Sequence, residues 1–418
     1  MKLTNDQENA LRIFEQFIDD PEEIYMIIQG DSGTGKSTLI KMMMHYIRST
    51  EKMYQLLLQE ETAKWQINLT ATTNKAVQVL SDMLEIEVRT IHSVLQLKIV
   101  NNFKTGEVDL KPGRGYELIR DALIIIDEAS FIDDKLFEYI NSTTVNCKII
   151  LIGDQYQLAP IKQAVPIMQK LQCKYYANLT EIMRNKGPIS ELGVQFKQAV
   201  QTNIFSLIKL APPTVIHTTG PEFKAWITQI YTHPKYQIHH AKILAWRNDQ
   251  VLSYNTFIRG IRGYTAQFKA GEYVITNKPI FYKGARYMTD KELLITHIGE
   301  PYILHDVSVR PLQLNNEQTN FIFPTDQQAV KCKLRQLAKL KEWPLFFTIK
   351  DDWLDLRSVY ASTVHKSQGS EYDIVFLDLS DISRCHISTD VARMLYVAAT
   401  RATKKVVLYG ELADKYRG

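Results

Sequence analysis

Residues Gly30-Asp31-Ser32-Gly33-Thr34-Gly35-Lys36-Ser37-Thr38 fit the phosphate-binding pattern G-x-x-x-x-G-K-[ST]. An apolar run before them, Ile24 to Ile28, predicts a buried strand, and the run Leu39 to Met44 after them predicts a helix. In that strand–loop–helix order, the backbone N–H groups of a glycine-rich loop surround phosphate oxygens. Lys36 is then expected to reach the β- and γ-phosphates, and Ser37 to hold Mg²⁺. The stretch therefore predicts a nucleoside triphosphate site.

The composition is that of a chain with a sizeable core and little net charge. It has 418 residues, of which 45% are hydrophobic and 10% aromatic, and this length favours more than one domain. The 50 basic and 46 acidic residues give +4, which permits nucleic-acid binding through local patches without arguing for it. A polar N-terminus and the lack of a long apolar run predict no signal peptide and no membrane association. The cysteines are too far apart for a zinc site or a disulfide framework, which suits a reducing cytosol: Cys147, Cys173, Cys332 and Cys385.

Residues 4–18 have the apolar spacing of an amphipathic helix. Thr4 and Gln7 at its start fit a capping box, in which each side chain bonds the backbone of the other. A glutamine just before a P-loop strand can also form two hydrogen bonds with an adenine edge. The spacing alone favours the cap.

A second strong signal is the wholly apolar strand Leu123 to Ile126, which is followed by Asp127 and Glu128. With a P-loop upstream, this order predicts a Walker B element, in which Asp127 holds the Mg²⁺ water shell and Glu128 orients or deprotonates the attacking water. The alternative is a buried strand followed by an acidic helix cap.

A third buried strand, Lys148 to Gly153, leads to Gln157, which could contact the γ-phosphate or the attacking water. Arg184 closes this first α/β unit. A single arginine is usually a surface residue. Because Arg184 stands at the end of the unit, the alternative interpretation is that it senses the phosphate. Hydroxyls such as that of Thr72, at a strand's carboxyl end, either cap the next helix or bind a second ligand's phosphates.

Two segments interrupt the α/β pattern. Residues 96–112 alternate apolar and polar side chains around a turn and predict an exposed β-hairpin. Residues 263–358 are mostly short β-like runs, Tyr302–Val309 among them, with a charged helix near 326–341. The α/β pattern starts again at about 186 and returns at 358, so the second α/β domain is discontinuous.

Read together, six motifs resemble those of superfamily 1 helicases of the RecD-like, 5′-to-3′ branch, with a layout similar to the Dda-type helicases of tailed phages. They are, in chain order, GDSGTGKST, LIIIDEAS, LIGDQYQLAP, LTEIMRN, TVHKSQGSEYD and LYVAATRA. With Gln7, they extend over nearly the whole chain. Two departures are small: Asp31 places a negative charge in a free position of the P-loop, and AATRA replaces the commoner ALTRA.

The resemblance implies an α/β fold with two RecA-like parallel-sheet P-loop NTPase domains, a β-hairpin pin inserted in the first and an SH3-like β-rich domain in the second. The implied boundaries are 1–95 and 121–185 for the first RecA-like domain, 96–120 for the pin, 186–262 and 359–418 for the second RecA-like domain, and 263–358 for the β-rich domain. Only residues 96–122 separate TIHSVL from LIIIDEAS. In the 3′-to-5′ branch a large helical domain stands at this place, so the short separation favours the 5′-to-3′ branch.

Phe103 near the hairpin turn is either the base-contacting tip of the pin or a packing residue.

The resemblance also assigns roles to residues. The implied catalytic residues are Lys36, Asp127, Glu128, Gln157, Arg184 and Arg401, the two arginines contacting the γ-phosphate from opposite sides. The implied ATP-binding residues are Gln7, Gly30, Ser32, Gly33, Thr34, Gly35, Lys36, Ser37, Thr38 and Glu371, with Ser37 and Asp127 on Mg²⁺. The implied nucleic-acid contacts are Thr72, His92, Phe103, Asn248, His365 and Lys366.

The implied activity is an ATP-driven, Mg²⁺-dependent 5′-to-3′ DNA helicase of replication, recombination or repair. It would act as a monomer on single-stranded DNA and on junctions with duplex, in the cytoplasm (the host's, if phage-encoded), with single-stranded-DNA-binding or replication proteins as further partners. The alternative is an NTPase stimulated by single-stranded DNA or RNA that translocates or remodels without separating strands.

Overall fold

The computed structural model describes residues 3–58, 65–113, 115–158, 166–183, 187–264 and 267–417, and for 51–58 it describes the backbone alone. These residues form two compact units. The first contains residues 1–97, 112–217 and 367–418, and the second contains 98–111 and 218–366.

The helices are, in chain order, α1 (Asn5–Asp19), α2 (Lys36–Leu58), α3 (Asn74–Leu84), α4 (Ile91–Val94), α5 (Asp134–Thr143), α6 (Ile167–Lys170), α7 (Pro188–Thr202), α8 (Gly220–Tyr231), α9 (Asn248–Ile261), α10 (Gln327–Leu340), α11 (Trp343–Asp352), α12 (Leu379–Ile382) and α13 (Ser388–Thr400).

The strands are, in chain order, β1 (Tyr25–Gly30), β2 (Gln66–Ala71), β3 (Arg89–Thr90), β4 (Leu97–Asn101), β5 (Val108–Pro112), β6 (Ile119–Arg120), β7 (Ala122–Asp127), β8 (Thr144–Val145), β9 (Lys148–Gly153), β10 (Tyr175–Leu179), β11 (Val215–Thr218), β12 (Ala241–Ala245), β13 (Tyr273–Thr276), β14 (Ile280–Tyr282), β15 (Ala285–Tyr287), β16 (Glu292–Ile298), β17 (Tyr302–Leu304), β18 (Val307–Leu314), β19 (Phe321–Pro324), β20 (Leu356–Ser358), β21 (Ala361–Thr363), β22 (Tyr372–Asp378) and β23 (Ala402–Tyr409).

The first unit is built on a parallel sheet with the order β10–β1–β9–β7–β2–β3. Every residue of β7 and β9 is buried, because helices cover both faces of the sheet. One face packs against α1, α2 and α3, and the other against α4, α5 and α6. Burial of each isoleucine contributes about 1.5–3 kcal/mol, which explains why these apolar runs form central strands. The carboxyl ends of β1 and β7 therefore lie at one edge of the sheet.

The same unit holds the C-terminal part of the chain. Strands β11, β23 and β22 are neighbours in that order, and β22 and β23 are parallel. Helix α13 is buried along nearly its whole length and packs against α7. These elements bring the end of α13, with Arg401, into the unit that contains the P-loop.

The second unit combines a parallel pair with an antiparallel sheet. Strands β12 and β21 are parallel and are contacted by α9. The antiparallel sheet has the order β17–β18–β16–β13–β20, and β19 pairs with β18. Helices α10 and α11 contact each other and provide, with β18, part of a second small core.

The prediction of one strand over Tyr302–Val309 is wrong. The run contains two antiparallel strands, β17 and β18, joined at His305 and Asp306, which have φ values of 51° and 64°. Two consecutive left-handed residues are typical of a tight hairpin turn, and aspartate tolerates that conformation better than most residues. The helices α8 and α11 were also not predicted.

The hairpin of β4 and β5 forms as predicted, and the structure places its residues 98–111 in the second unit. Among the described helices, none combines the length and the apolar character that crossing a membrane requires.

Candidate nucleotide-binding and hydrolysis site

An open cleft with about 1250 Å³ of empty volume lies at the carboxyl edge of the first unit's large sheet. Predicted site residues line it together: Ser32, Gly33, Gly35, Lys36, Ser37, Thr38, Asp127, Glu128, Gln157, Glu371 and Arg401. The rest of the lining consists of Gly369 and the apolar side chains of Ala76, Val79, Met83 and Met183. Residues far apart in the sequence thus meet in one open cleft.

The P-loop has the backbone that its glycines allow. Gly33 and Gly35 have φ values of 84° and 79°, where a side chain would strain the loop. The ammonium group of Lys36 donates hydrogen bonds to the carbonyl oxygens of Gly30 (2.8 Å) and Asp31 (3.0 Å). The loop therefore holds its lysine against its own backbone, next to the cleft.

Gln7 caps its helix, as the spacing predicted. Its backbone N–H donates to the Thr4 hydroxyl, and its Oε1 accepts from the Thr4 N–H. Its Nε2 donates to the carbonyl oxygens of Thr34 (3.2 Å) and Gly35 (3.3 Å). The buried amide thus ties α1 to the P-loop, and its contact with adenine stays a prediction.

The two acidic residues after β7 differ in backbone conformation. Asp127 ends the buried strand, and its Oδ1 accepts from the Glu128 N–H at 2.9 Å. Glu128 has a φ of 52°, a left-handed value that turns the chain sharply at the strand end. Burial raises the pKa of both carboxyl groups, and the charge of Asp127 raises that of Glu128 further, while Lys36 opposes both shifts.

These groups fit a divalent cation. The Oε2 atom of Glu128 is buried and has no hydrogen-bond partner among the described residues. Two buried carboxylates side by side need a positive charge, and the Ser37 hydroxyl lines the same cleft. Oxygen ligands beside a triphosphate are what Mg²⁺ prefers.

Gln157 is held by two residues to which the sequence motifs give no role, Gln368 and Arg393. Its side-chain Oε1 accepts a hydrogen bond from Gln368 Nε2 at 3.3 Å, and both residues are buried. Arg393 on α13 donates to the carbonyl oxygens of Gln155 and Gln157. The predicted γ-phosphate glutamine is therefore fixed through both its backbone and its amide.

Arg401, at the end of α13, is 4% exposed and points into the cleft. Its Nη2 donates to the hydroxyl of Ser32 in the P-loop at 3.2 Å, and its Nη1 to the carbonyl oxygen of Ser370 at 3.3 Å. The guanidinium is thus oriented by hydrogen bonds, next to the P-loop.

Asp31, the unusual residue of the P-loop, has a specific partner. Its carboxylate accepts from the ammonium of Lys197 on α7 at 2.5 Å. Burial raises the pKa of Asp31, whereas Lys197 lowers it. Beside this pair, the Tyr396 hydroxyl accepts from the Ser32 N–H (3.1 Å) and donates to Asp154 (2.7 Å). Spacing along the sequence gives no sign of these long-range contacts.

This ion pair gives a test of charge compensation. Lys197→Met leaves the Asp31 carboxylate in the P-loop without its ion-pair partner. We expect the KM for ATP to rise roughly tenfold, as about 1.4 kcal/mol of repulsion would cause, with a smaller change in kcat. The double variant Asp31→Asn with Lys197→Met should regain the parental KM in a steady-state ATPase assay. A double variant as impaired as Lys197→Met would contradict compensation.

Of the predicted nucleic-acid contacts, Thr72 and His92 lie in the first unit. The Thr72 hydroxyl donates to the Glu128 carbonyl oxygen at 2.8 Å, so it contacts the Walker B turn. His92 lies on the short helix α4 and is half-buried, and burial lowers its pKa while Asp133 opposes that shift.

Asn248, His365, Lys366 and Phe103 lie in the second unit. Asn248 is exposed at the start of α9. The Lys366 ammonium donates to Asn277 at 2.8 Å and to Asp290 at 3.1 Å. Only Ser367 separates it in the chain from Gln368, which bonds Gln157 in the cleft.

Phe103, in the hairpin turn, is 56% exposed and contacts Phe347 of α11 edge to face, with ring centroids 5.2 Å apart. Other contacts seat the hairpin on the same helix. Trp343 Nε1 donates to the Lys104 carbonyl oxygen at 3.0 Å, and a Cβ on Gly106 would lie 2.3 Å from the Trp343 ring. Phe103 therefore packs on α11 and is still accessible at the turn, and its contact with a DNA base stays a prediction.

Arg184 lies outside the described residues, and its contact with the γ-phosphate stays a prediction. Gly30 and Thr34 shape the loop without lining the cleft. Thr34 is 1% exposed, and its hydroxyl donates to the Asp31 carbonyl oxygen at 2.9 Å.

Two family models match the chain. A model described as an AAA domain matches residues 2–202, and a model of the UvrD-like helicase C-terminal domain matches residues 358–409. The first match contains the P-loop and the β7 acids, and the second contains Arg401.

Two relatives match over most of the chain. The ATP-dependent DNA helicase dda of Enterobacteria phage T4 is 26% identical, with 96% of this chain and 97% of that protein aligned. The RecBCD enzyme subunit RecD of Buchnera aphidicola (subsp. Schizaphis graminum) is 23% identical, with 92% of this chain and 70% of that protein aligned.

The fold also matches solved structures. The crystal structure of the Pif1 helicase from Bacteroides in complex with ADP-AlF3 and single-stranded DNA aligns with a TM-score of 0.54 and 14% identity, covering 100% of this chain and 94% of that one. At this identity the likeness concerns the fold, and it confirms the predicted α/β class with two RecA-like domains and insertions.

Proposed function

We infer that this chain is an ATP-dependent DNA helicase of superfamily 1B, the group to which it is similar along nearly all of its length. The observation that carries this inference is the cleft, in which Lys36, Glu128 and Gln157 meet Arg401 from the C-terminal part of the chain. A nucleotide-binding loop alone would suit many NTPases. In this cleft Arg401, from the last of the six motifs, lies beside the P-loop of the first motif. Such an arrangement is typical of enzymes in which the bound nucleotide controls the closing of two domains.

Hydrolysis follows from these positions. Lys36, released from the carbonyl oxygens of its own loop, would bind the β- and γ-phosphates. Glu128, at the left-handed turn after β7, would orient the attacking water and accept its proton. Arg401 would stabilise the negative charge that develops on the transferred phosphoryl group. A Mg²⁺ ion on Ser37 and Asp127 would neutralise phosphate charge.

The movement of the two domains would be driven by residues that contact the same phosphate group. Gln157 and Arg401 contact the γ-phosphate in this proposal, so ATP binding closes the cleft and loss of the γ-phosphate releases it. Arg393 and Gln368, which hold Gln157, link that change to α13 and to the loop that carries Lys366. Repeated closing and opening, with alternating grip on single-stranded DNA, gives directional steps.

DNA contacts are proposed for the residues that the resemblance assigns. Thr72, His92, Asn248, His365 and Lys366 would contact the DNA backbone, which gives affinity with little sequence preference. The 5′-to-3′ direction rests on the short insertion before β7, and the domain boundaries given above are part of this proposal. Action in the cytoplasm, as a monomer, in replication, recombination or repair is proposed with it.

The deciding experiment is an unwinding assay on duplexes with a 5′ or a 3′ single-stranded tail. We expect ATP-dependent strand separation of the 5′-tailed duplex and little of the 3′-tailed one. Preference for the 3′ tail would overturn the direction. ATP hydrolysis stimulated by single strands without separation of either duplex would support a translocase or remodeller instead, and stimulation by RNA alone would point to an RNA-directed enzyme.

The hairpin gives a second test. Phe103→Ala removes the exposed ring at the turn, and we expect unwinding to slow several-fold while ATP hydrolysis on single-stranded DNA is unchanged. The comparison variant is Phe281→Ala, which removes another exposed phenylalanine, 56% exposed, from the same unit. Unwinding equal to that of the parent chain would exclude Phe103 as a strand-separating residue.

A further inference from the structure

The second unit contains an open cavity. No residue to which the helicase resemblance assigns a role lines it. It lies between α9 and the strands β18, β19 and β20, and has about 820 Å³ of empty volume. Every residue that lines it belongs to the second unit, so it is distinct from the ATP cleft, whose lining belongs to the first.

Three arginines line this cavity, and two of them have carboxylate partners. Arg259 bonds Glu272 through Nε at 3.0 Å, and Arg357 lies 3.1 Å from Asp355. Arg310 on β18 forms no side-chain ion pair with any residue that the structure describes. The cavity therefore has one unneutralised guanidinium in its wall, which favours an anionic ligand.

Two hydrogen-bond donors of the lining are buried and unpaired. The Nε atom of Arg310 and the Nε2 atom of Gln327, the first residue of α10, have no acceptor among the described residues. Leaving a buried donor unpaired is unfavourable, and a ligand with acceptor oxygens would satisfy both. Charge and hydrogen bonding thus point to the same chemistry, that of a phosphate group.

Aromatic rings stand next to these donors. Arg310 is directly opposite Phe323 in the β18–β19 register, so both side chains are on one face of the sheet. Phe323 and Phe268 have ring centroids 5.7 Å apart, and both line the cavity. Partly buried rings beside a free arginine offer a surface on which a nucleobase can pack.

We propose that this cavity is a second nucleotide-binding site, with the phosphate on Arg310 and Gln327 and the base against Phe323 and Phe268. A free nucleotide and one nucleotide unit of a DNA strand share this chemistry. The site goes beyond the helicase activity and does not depend on it.

Both sources are tested in a chain that carries Lys36→Ala, which weakens the ATP site. One arm measures binding of deoxyadenosine monophosphate by calorimetry, and the other measures cross-linking of a thymidine oligonucleotide that carries a photoreactive base. Arg310→Ala should weaken nucleotide binding about tenfold or abolish the cross-link to Phe323 and Phe268, because a charged hydrogen bond is lost. If Arg310→Ala weakens only the binding of deoxyadenosine monophosphate, the site takes a free nucleotide. If it abolishes only the cross-link to the oligonucleotide, the site takes a nucleotide of a DNA strand.

The matched control is Arg335→Ala, which removes an exposed arginine of α10 that does not line the cavity. Gln327→Ala is the second variant, and its binding loss should be smaller, while thermal melting checks the fold of each protein. Equal behaviour of the Arg310 and Arg335 variants in both arms would overturn the proposal. If inorganic phosphate competes for the site as well as deoxyadenosine monophosphate does, the base adds nothing to binding, and the role of the rings is overturned. Unwinding is measured separately, in the parental chain with Lys36 intact. If that chain unwinds no duplex while the Arg310 effect is present, the helicase assignment is refuted and the second site stands.

Discussion

The variant Lys36→Ala is expected to lose nearly all DNA-stimulated ATP turnover. The ammonium would make charged hydrogen bonds to two phosphates, and each contributes about 1.5–3 kcal/mol. Their loss lowers the rate roughly 10²- to 10⁴-fold, as measured by phosphate release in the presence of single-stranded DNA. Unwinding should fall in parallel, since it is driven by hydrolysis.

Lys41→Ala is the matched control, because Lys41 lies on the same helix, α2, and is exposed. It should keep parental turnover. Lys36 also donates to the carbonyl oxygens of Gly30 and Asp31, so melting temperatures of both variants will show whether the loop itself is destabilised. A folded Lys36→Ala protein with full turnover would refute the cleft as the site of hydrolysis.

Arg401→Ala is expected to reduce kcat about 10³-fold or more while changing the KM for ATP much less. An arginine that acts on the charge of the transition state supplies this order of magnitude. The split between kcat and KM distinguishes that role from simple binding of ATP, which would raise KM at unchanged kcat.

Arg401 is buried and donates hydrogen bonds to Ser32 and Ser370, so its removal also leaves these two acceptors without that donor. A second variant, Arg401→Lys, keeps the positive charge but lacks the planar guanidinium, and it should recover only part of the rate. The exposed Arg384, in the same C-terminal part of the chain, supplies the control Arg384→Ala. A parental kcat in folded Arg401→Ala protein would exclude the arginine finger.

The fold and the centre of the site could be predicted because their signals are local. Buried strands such as β7 consist of consecutive apolar residues, and the P-loop and the two acids directly follow such strands. In a parallel sheet these strand ends share one edge, so residues distant in the sequence are brought together by topology.

The remaining contacts could not be predicted, because they depend on side chains from distant elements. Nothing in the sequence near Asp31 indicates that Lys197 neutralises it, and no spacing connects Arg393 with the backbone of Gln157. The turn at His305 and Asp306 was missed because neither residue is a glycine or a proline, the usual signals of a break.

The short loop after β21 has a mechanical consequence. Lys366, bonded to Asn277 and Asp290, and Gln368, bonded to Gln157, are two residues apart, so their Cα atoms are never more than about 7 Å from each other. A backbone displacement at either residue that exceeds this span must therefore move the other residue as well.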